Sequence, residues 1–339
     1  MGDVIHTLPV VQDIRRAFPT ATIDWVVEPG FAPLVRRAFS IGDVIEAPLR
    51  RWMKRPWALS ALRGLCALRR RLREHRYDAI LDLQGLTKSA LVAAMARGHR
   101  YAMARGTEGS GYEPPTRWVA RTRVDVPFHI HALDRSREVA ARALGYALQG
   151  PPDFGLHTHE PGHVPGTPTD VRPCAALLHG ASREDKLWPE SSWLALGQAL
   201  IRDGWHVCLP HAGIQEKARA DRLAAQFGDS NAEVWPAMQL DALMDALATC
   251  RATIGVDSGL SHLAVALGLP HVQIYNFPTS WRTGPQPSHG HLHQRSLEGA
   301  PPEVDTVLHA FHEVCQQAGV QAPANGDLMN GLPSVSTAA

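Results

Sequence analysis

The chain has 339 residues, with 34 basic and 33 acidic side chains and a formal net charge of +1, so bulk electrostatics gives no case for nucleic acid as a partner. Its hydrophobic fraction of 45% is that of an ordinary globular protein. The length supports two domains with full cores, and no apolar run approaches the roughly 20 residues needed to span a bilayer.

In chain order, Met1-Gly-Asp-Val-Ile-His-Thr-Leu-Pro9 reads as a loop leading into a helix from Val10 to Phe18, with Val11, Ile14 and Ala17 on one side. Thr22 to Glu28 predicts a strand, Val35 to Phe39 a helix, and Asp43 to Ala47 a short strand. A basic and aromatic run, Arg50 to Trp57, precedes a long Arg-rich helix ending near His75. Tyr77 to Leu83 is strand-like and Lys88 to Ala96 helical, while residues 101–130 are less regular. An amphipathic helix from His131 to Leu144 closes the first half.

Gly150 to Pro168, rich in Gly, Pro and His, predicts the linker region. Strands follow at Cys174–Leu178, His206–Pro210, Glu233–Pro236, Ala252–Val256 and His271–Tyr275. Helices alternate with them at Ser191–Asp203, Glu216–Phe227, Leu240–Cys250 and from Gly259 onward, with a terminal helix at Pro302–Ala318. Ala322 to Ala339 has few large apolar residues and predicts a disordered tail. This rhythm argues parallel sheets covered by helices on both faces. The domains are expected at 1–155 and 156–320 with a tail at 321–339, and a ligand is expected between them at the strand ends. Cys66, Cys174, Cys208, Cys250 and Cys315 are odd in number and far apart, the usage of reduced thiols. With no charged-then-apolar leader pattern, the expectation is a soluble cytoplasmic protein.

The most informative stretch is Ala252-Thr-Ile-Gly-Val-Asp-Ser-Gly-Leu-Ser-His262. A buried strand turns at Asp257, Ser258 and Gly259 into a helix, whose free N–H groups and positive dipole end suit a phosphate. The alternative is that Asp257 or Ser258 only caps the helix. Three other clusters fall at strand or helix ends. After the strand at Leu178, Ser182 and Lys186 can donate to a phosphate, against the plainer reading of a solvated loop. In Pro210 to Glu216, Glu216 can accept from ribose hydroxyls, although an acid in a first helical turn is usually there for the dipole. Gly2-Asp3 opens the chain.

Taken together, Met1-Gly-Asp-Val-Ile-His-Thr-Leu-Pro9, Asp24-Trp-Val-Val-Glu28, Asp185-Lys-Leu-Trp-Pro189 and Val256-Asp-Ser-Gly-Leu-Ser-His262 resemble the bacterial lipopolysaccharide heptosyltransferases. The resemblance runs in order from Met1 to about Val320, and Arg50-Arg-Trp-Met-Lys54 favours type I over type II. It implies a GT-B fold, two Rossmann-like doubly wound domains facing across a cleft. It also implies inverting transfer of heptose from ADP-L-glycero-D-manno-heptose to Kdo of Kdo2-lipid A, without metal or cofactor. Matching positions give Asp3 the role of general base, Lys186 and Ser182 diphosphate contacts, and Glu216 the ribose contact. Met238 matches the adenine pocket, Asp257, Ser258, Gly259 and His262 the donor motif, and Arg50 and Lys54 the anionic acceptor. Ser182, Ser258 and Ala181 stand where relatives often carry threonine, and Ala181 forgoes a hydroxyl. The implied setting is a monomer in peripheral contact with the cytoplasmic face of the inner membrane.

One base suffices for inversion, so a glycosidase carboxylate pair is not expected. No Asp-x-Asp metal motif stands at a strand end, and fixed donors at the leaving diphosphate can carry the stabilisation instead. The rival readings are a type II enzyme or another family member with a different acceptor, and a non-catalytic nucleotide-sugar binder. A hydrolase triad of Asp257, Ser258 and His262 is disfavoured, because the first two are adjacent and no Gly-x-Ser-x-Gly elbow is present. The run Arg50–Trp57 also suits an anionic membrane surface. Relatives begin with an apolar strand before Gly-Asp that this chain lacks, so the expectation is a start codon upstream of Met1 and poor stability for the form beginning there.

Overall fold

Short aliphatic runs with almost no polar alternation have to be covered on both faces, and parallel pairing with helical crossovers does that. The computed structural model describes residues 1–159, 172–299 and 301–320. They divide into two compact units, Met1–His157 together with Trp281–Thr283, and the remainder.

The first unit opens on helix α1 (Gly2–Ala17), so the stretch expected as a loop is helical and Pro9 lies inside it. Burial of Ile5, Leu8, Pro9, Val10 and Val11 outweighs the poor helix propensity of Gly2 and Pro9. Strand β1 (Trp25–Val27), helix α2 (Ala32–Arg36) and strand β2 (Val44–Glu46) follow. The basic run forms α3 (Leu49–Lys54) and α4 (Leu59–Arg71). Then come β3 (Tyr77–Asp82), α5 (Thr87–Met95), β4 (Gly98–Met103), α6 (Pro115–Val119), β5 (Thr122–Val124) and α7 (Ala132–Leu144). The last of these ends on Gly145 in the left-handed region, at φ 76°. β1 pairs with β2, and β3, β4 and β5 form a second parallel sheet; among the described residues no ladder joins the two.

α1 lies against α7. Arg137 on α7 grips Asp13 on α1 with Nε and Nη2, at 2.7 and 3.0 Å, and both side chains are buried. A buried carboxylate of this kind is tolerated because its partner is bidentate. Asp24 fixes the sheet in another way, accepting from the Tyr77 hydroxyl at 2.9 Å and the Asp43 N–H at 3.0 Å.

The second unit holds one six-stranded parallel sheet, in the order β11-β10-β9-β6-β7-β8. Its strands are β6 (Cys174–Leu178), β7 (His206–Leu209), β8 (Ala232–Val234), β9 (Ala252–Val256), β10 (His271–Tyr275) and β11 (Gln294–Glu298). Its helices are α8 (Glu190–Arg202), α9 (Gly213–Phe227), α10 (Leu240–Thr249), α11 (Gly259–Ala266), α12 (Ser280–Thr283) and α13 (Val304–Gln317), the end of α12 lying in the first unit. Trp193, Trp205, Leu177, Ile254 and Phe311 are buried in its core, each contributing on the order of 1.5–3 kcal/mol by burial.

Two differences from the sequence reading are local. β11 is an edge strand with the half-exposed sequence Gln-Arg-Ser-Leu-Glu, too polar to register as a strand. Cys174 and Cys208 are joined in a disulfide, where five free thiols were expected. Pairing of β6 with β7 sets Ala176 opposite Cys208, and so makes Cys174 and Cys208 diagonal neighbours. The tail expected at 322–339 lies outside the described residues.

Two of the imidazoles buried in the second unit are held strongly towards the neutral form. Burial, with Arg219 and His211 adding like charge, pushes His179 down to about 4. Burial, with His262 nearby, pushes His271 down to about 3. The unfolded chain therefore takes up these protons near pH 6.5, while the folded chain does so only well below. Their contribution is complete above about pH 6.5 and is lost as pH falls, with a slope of up to about 1.4 kcal/mol per pH unit for each proton. We expect the melting temperature to fall steadily from about pH 6.5 towards pH 4; a flat profile over that range would contradict the assignment.

Candidate active site

The second unit concentrates its chemistry at the carboxyl ends of β6, β7 and β9. β9 is buried along its whole length, and the chain leaves it at Asp257 and Ser258 to enter α11. Ser258 caps that helix: its hydroxyl accepts from the Ser261 N–H at 3.5 Å, while Ser261 Oγ donates to the Val256 carbonyl at 2.6 Å. Helix geometry leaves the N–H groups of Gly259 and Leu260 without an intrahelical acceptor. Capping and anion reception are thus both open to this turn, because the cap uses other N–H groups.

Asp257 is the centre of the arrangement. Lys186 Nζ lies 2.6 Å from its Oδ2 and His262 Nε2 lies 3.4 Å from its Oδ1. The carboxylate is 7% exposed. Burial opposes its charge, yet the His262 hydrogen bond and the Lys186 ammonium hold it well below the usual carboxylate range. Gln273 on β10 reaches His262 Nδ1 at 3.5 Å, leaving Nε2 to face Asp257. Sequence reasoning passed over Gln273, although a glutamine inside the wholly buried strand His-Val-Gln-Ile-Tyr is itself a signal.

Lys186 sits in a 3-10 turn, Glu184–Lys186, clamped from two sides. The Asn276 amide donates to the carbonyls of Asp185 and Leu187, both at 2.9 Å, and the buried Trp188 indole donates to the Pro302 carbonyl at 2.9 Å. The loop, for which a merely solvated course was the alternative reading, is therefore held in place, although Ser182 itself is exposed.

Glu216 turns back to the start of its own helix, where Oε2 accepts from the Ala212 N–H at 2.6 Å. Its carboxyl group also lies against Gly180, where a Cβ would stand 2.4 Å from it. Met238 is half-buried in the loop before α10. Of the second-unit candidates, Lys186, Asp257, Ser258, Gly259 and His262 come together; among the described residues Ser182 makes no hydrogen bond to that group.

In the first unit Asp3 is exposed in the first turn of α1. The Arg135 guanidinium on α7 is pulled down by burial, with the Asp3 carboxylate acting in the opposite direction. Arg135 Nε is buried without a partner, and Nη1 donates to Thr107 Oγ1 at 3.4 Å. Nothing in the sequence set this arginine apart from the polar face of α7. Arg50 and Lys54 stand exposed on α3, whose N-terminus is held by Glu28 accepting from the Arg50 N–H at 2.9 Å.

Residues 65–302 match the model for glycosyltransferase family 9 (heptosyltransferase). The chain belongs to this family. It is 36% identical over 277 residues to lipopolysaccharide heptosyltransferase 1 of Escherichia coli strain K12, covering 81% of this chain and 84% of that one. Against lipopolysaccharide heptosyltransferase 2 of Salmonella typhimurium the identity is 27% over 320 residues, covering 85% and 83%. Among solved structures, E. coli heptosyltransferase WaaC with ADP superposes with a TM-score of 0.79 at 32% identity, covering 92% of this chain and 96% of that one. The same enzyme with ADP-2-deoxy-2-fluoro heptose gives a TM-score of 0.76, also at 32% identity, covering 94% and 96%. The α/β architecture with parallel sheets is that of these GT-B transferases.

For a family 9 transferase the Lys186–Asp257 pair can be tested for more than stability. Lys186→Ala is expected to lower turnover at least about 10²-fold and to destabilise the unit, because Asp257 loses a partner. Adding Asp257→Asn should recover melting temperature without recovering turnover. Recovery of both by the second substitution would reduce Lys186 to a structural role.

Proposed function

We propose that this chain transfers L-glycero-D-manno-heptose from ADP-L-glycero-D-manno-heptose to Kdo of Kdo2-lipid A, with inversion at the anomeric carbon. The observation that carries the reading is Lys186 held on Asp257 beside the open N-terminus of α11, in a family 9 chain. As the glycosidic bond to ADP breaks, negative charge grows on the leaving diphosphate. The Lys186 ammonium and the N–H groups of Gly259 and Leu260 are fixed donors for that charge, and losing one such donor typically costs about 3–4 kcal/mol. Ser182 adds a hydroxyl from the Lys186 loop, while Ala181 adds none. Glu216 takes the ribose hydroxyls with the carboxylate oxygen left over from its helix start, and Met238 packs on the adenine. His262 orients Asp257 at the sugar. Asp3 removes the proton of the acceptor hydroxyl, and the Arg135 guanidinium interacts electrostatically with that carboxylate. Arg50 and Lys54 receive the Kdo carboxylates, Arg50 being suited to a bidentate grip.

On this reading the first unit binds the acceptor and the second the donor, and the protein acts as a cytoplasmic monomer against the inner membrane. The greater identity to heptosyltransferase 1 of E. coli K12, 36%, than to heptosyltransferase 2 of Salmonella typhimurium, 27%, favours Kdo over an already heptosylated core. Mass spectrometry of the product from ADP-heptose and Kdo2-lipid A tests this. A one-heptose mass increase on Kdo is expected, and transfer only to a heptosylated core would reassign the chain to type II.

Lysine and a helix terminus take the place that a divalent cation holds in other transferases, so turnover should survive EDTA. A strict Mg²⁺ requirement, restored by titration, would contradict the mechanism. Replacing Arg50 and Lys54 with alanine should raise the acceptor KM more than the donor KM. An effect confined to ADP-heptose would remove both from the acceptor site.

A further inference from the structure

Four of the exposed large apolar side chains of the described residues crowd into ten positions at the joint of α3 and α4. They are Met53, Trp57, Leu59 and Leu62, at 49%, 78%, 62% and 48% exposure. The surrounding segment, residues 47–73, carries nine lysines and arginines and no acidic residue. Only Arg71 of the nine is paired among the described residues, with Asp43 and Glu74; the other eight make no ion pair there. The like charge of Arg69, with burial and Arg97 adding to it, lowers the pKa of the Arg73 guanidinium.

The joint is built, not frayed. Trp52 turns inward and lies across α4 at Gly64, where a Cβ would meet its ring at 2.4 Å. Ala61 and Leu68 bury the inner face of α4, and Leu72 at its C-cap is buried as well. Its outer face repeats Leu59, Leu62, Cys66 and Arg69 at helical spacing, all exposed, so an apolar tip grades into a cationic shaft. The outer face of a helix on a globular protein is ordinarily polar throughout. A nucleic acid would offer phosphates to the shaft but no apolar layer to the tip. An anionic bilayer offers both, headgroup phosphates for the arginines and the acyl boundary for the tryptophan and leucines.

We propose that the α3–α4 corner docks the chain on an anionic lipid surface, with Met53, Trp57, Leu59 and Leu62 entering the headgroup–acyl boundary. This extends the reading of a lipid-borne acceptor and assigns residues to the membrane contact. The test is co-sedimentation of the full chain with vesicles of phosphatidylglycerol and phosphatidylcholine, against phosphatidylcholine alone. Binding should require phosphatidylglycerol and weaken with salt. A Trp57→Ser, Leu59→Ser, Leu62→Ser variant with an unchanged circular dichroism spectrum should partition at least about tenfold less. Arg63→Gln and Arg70→Gln should each cost about fivefold.

The triple variant should keep the parental rate on a water-soluble deacylated acceptor and lose rate on vesicle-borne acceptor. Equal partitioning of parent and triple variant, or binding indifferent to phosphatidylglycerol, would overturn the inference. If soluble-acceptor transfer persists in that case, the proposed function stands without this docking face. Phosphatidylglycerol-dependent binding without any heptose transfer would uphold the docking face and sink the function.

Discussion

A carboxylate nearly out of water is the constraint on which the second unit depends. Asp257 carries its charge at the end of a fully buried strand, where an unpaired carboxylate would cost several kcal/mol. It is kept ionised by an ammonium from one loop and an imidazole from the helix that follows. Each partner needs its own support. Lys186 depends on the loop that Asn276 and Trp188 hold, and His262 is turned by Gln273. One buried charge therefore ties together the ends of β6, β9 and β10. A second consequence is electrostatic. Lys186 is positioned by a group that neutralises much of its charge, so an arriving diphosphate must compete with Asp257 for it. That competition favours a ligand whose charge rises during reaction over one that merely binds.

The same logic, at smaller scale, orders the first unit. Asp13 and Arg137 clamp α1 to α7, Asp24 joins β3 to the turn before β2, and Glu28 steadies the start of α3. Acidic residues in the family-like stretch Asp24–Glu28 thus act on the scaffold through hydrogen bonds to backbone and hydroxyl groups. The exposed cations Arg50 and Lys54 inherit their position from that scaffold, and Asp3 from the seating of α1 on α7.

What could be read from the sequence was whatever is decided locally. Ala252–Val256 and His271–Tyr275 are strands as expected, because a run of buried aliphatic residues bounded by turn residues has few alternatives. The turn into α11 was legible for the same reason, since Ser258 and Gly259 satisfy cap and turn requirements by themselves. α1 was misread at its start, because Gly2 and Pro9 speak against helix locally while the burial that overrides them is tertiary. β4, β5 and β11 were passed over because half-exposed strands keep polar residues that resemble loop. The Cys174–Cys208 bond follows from a strand register that no spacing along the chain discloses.

The candidate site divides along the same line. Lys186, Asp257, Ser258 and His262 could be singled out because strand-end motifs announce them, whereas Asn276, Gln273 and Arg135 make their contacts only after folding. Glu216 shows the limit from the other side. Its sequence position fitted both a ribose contact and a helix-start acid, and the folded chain commits one of its oxygens to the Ala212 N–H. The remaining oxygen lies beside Gly180, in a gap that a side chain at that position would close. The two readings are therefore not exclusive. A carboxylate pinned by its own helix start loses less rotamer freedom when it meets a hydroxyl, so the structural role is compatible with the proposed ribose contact.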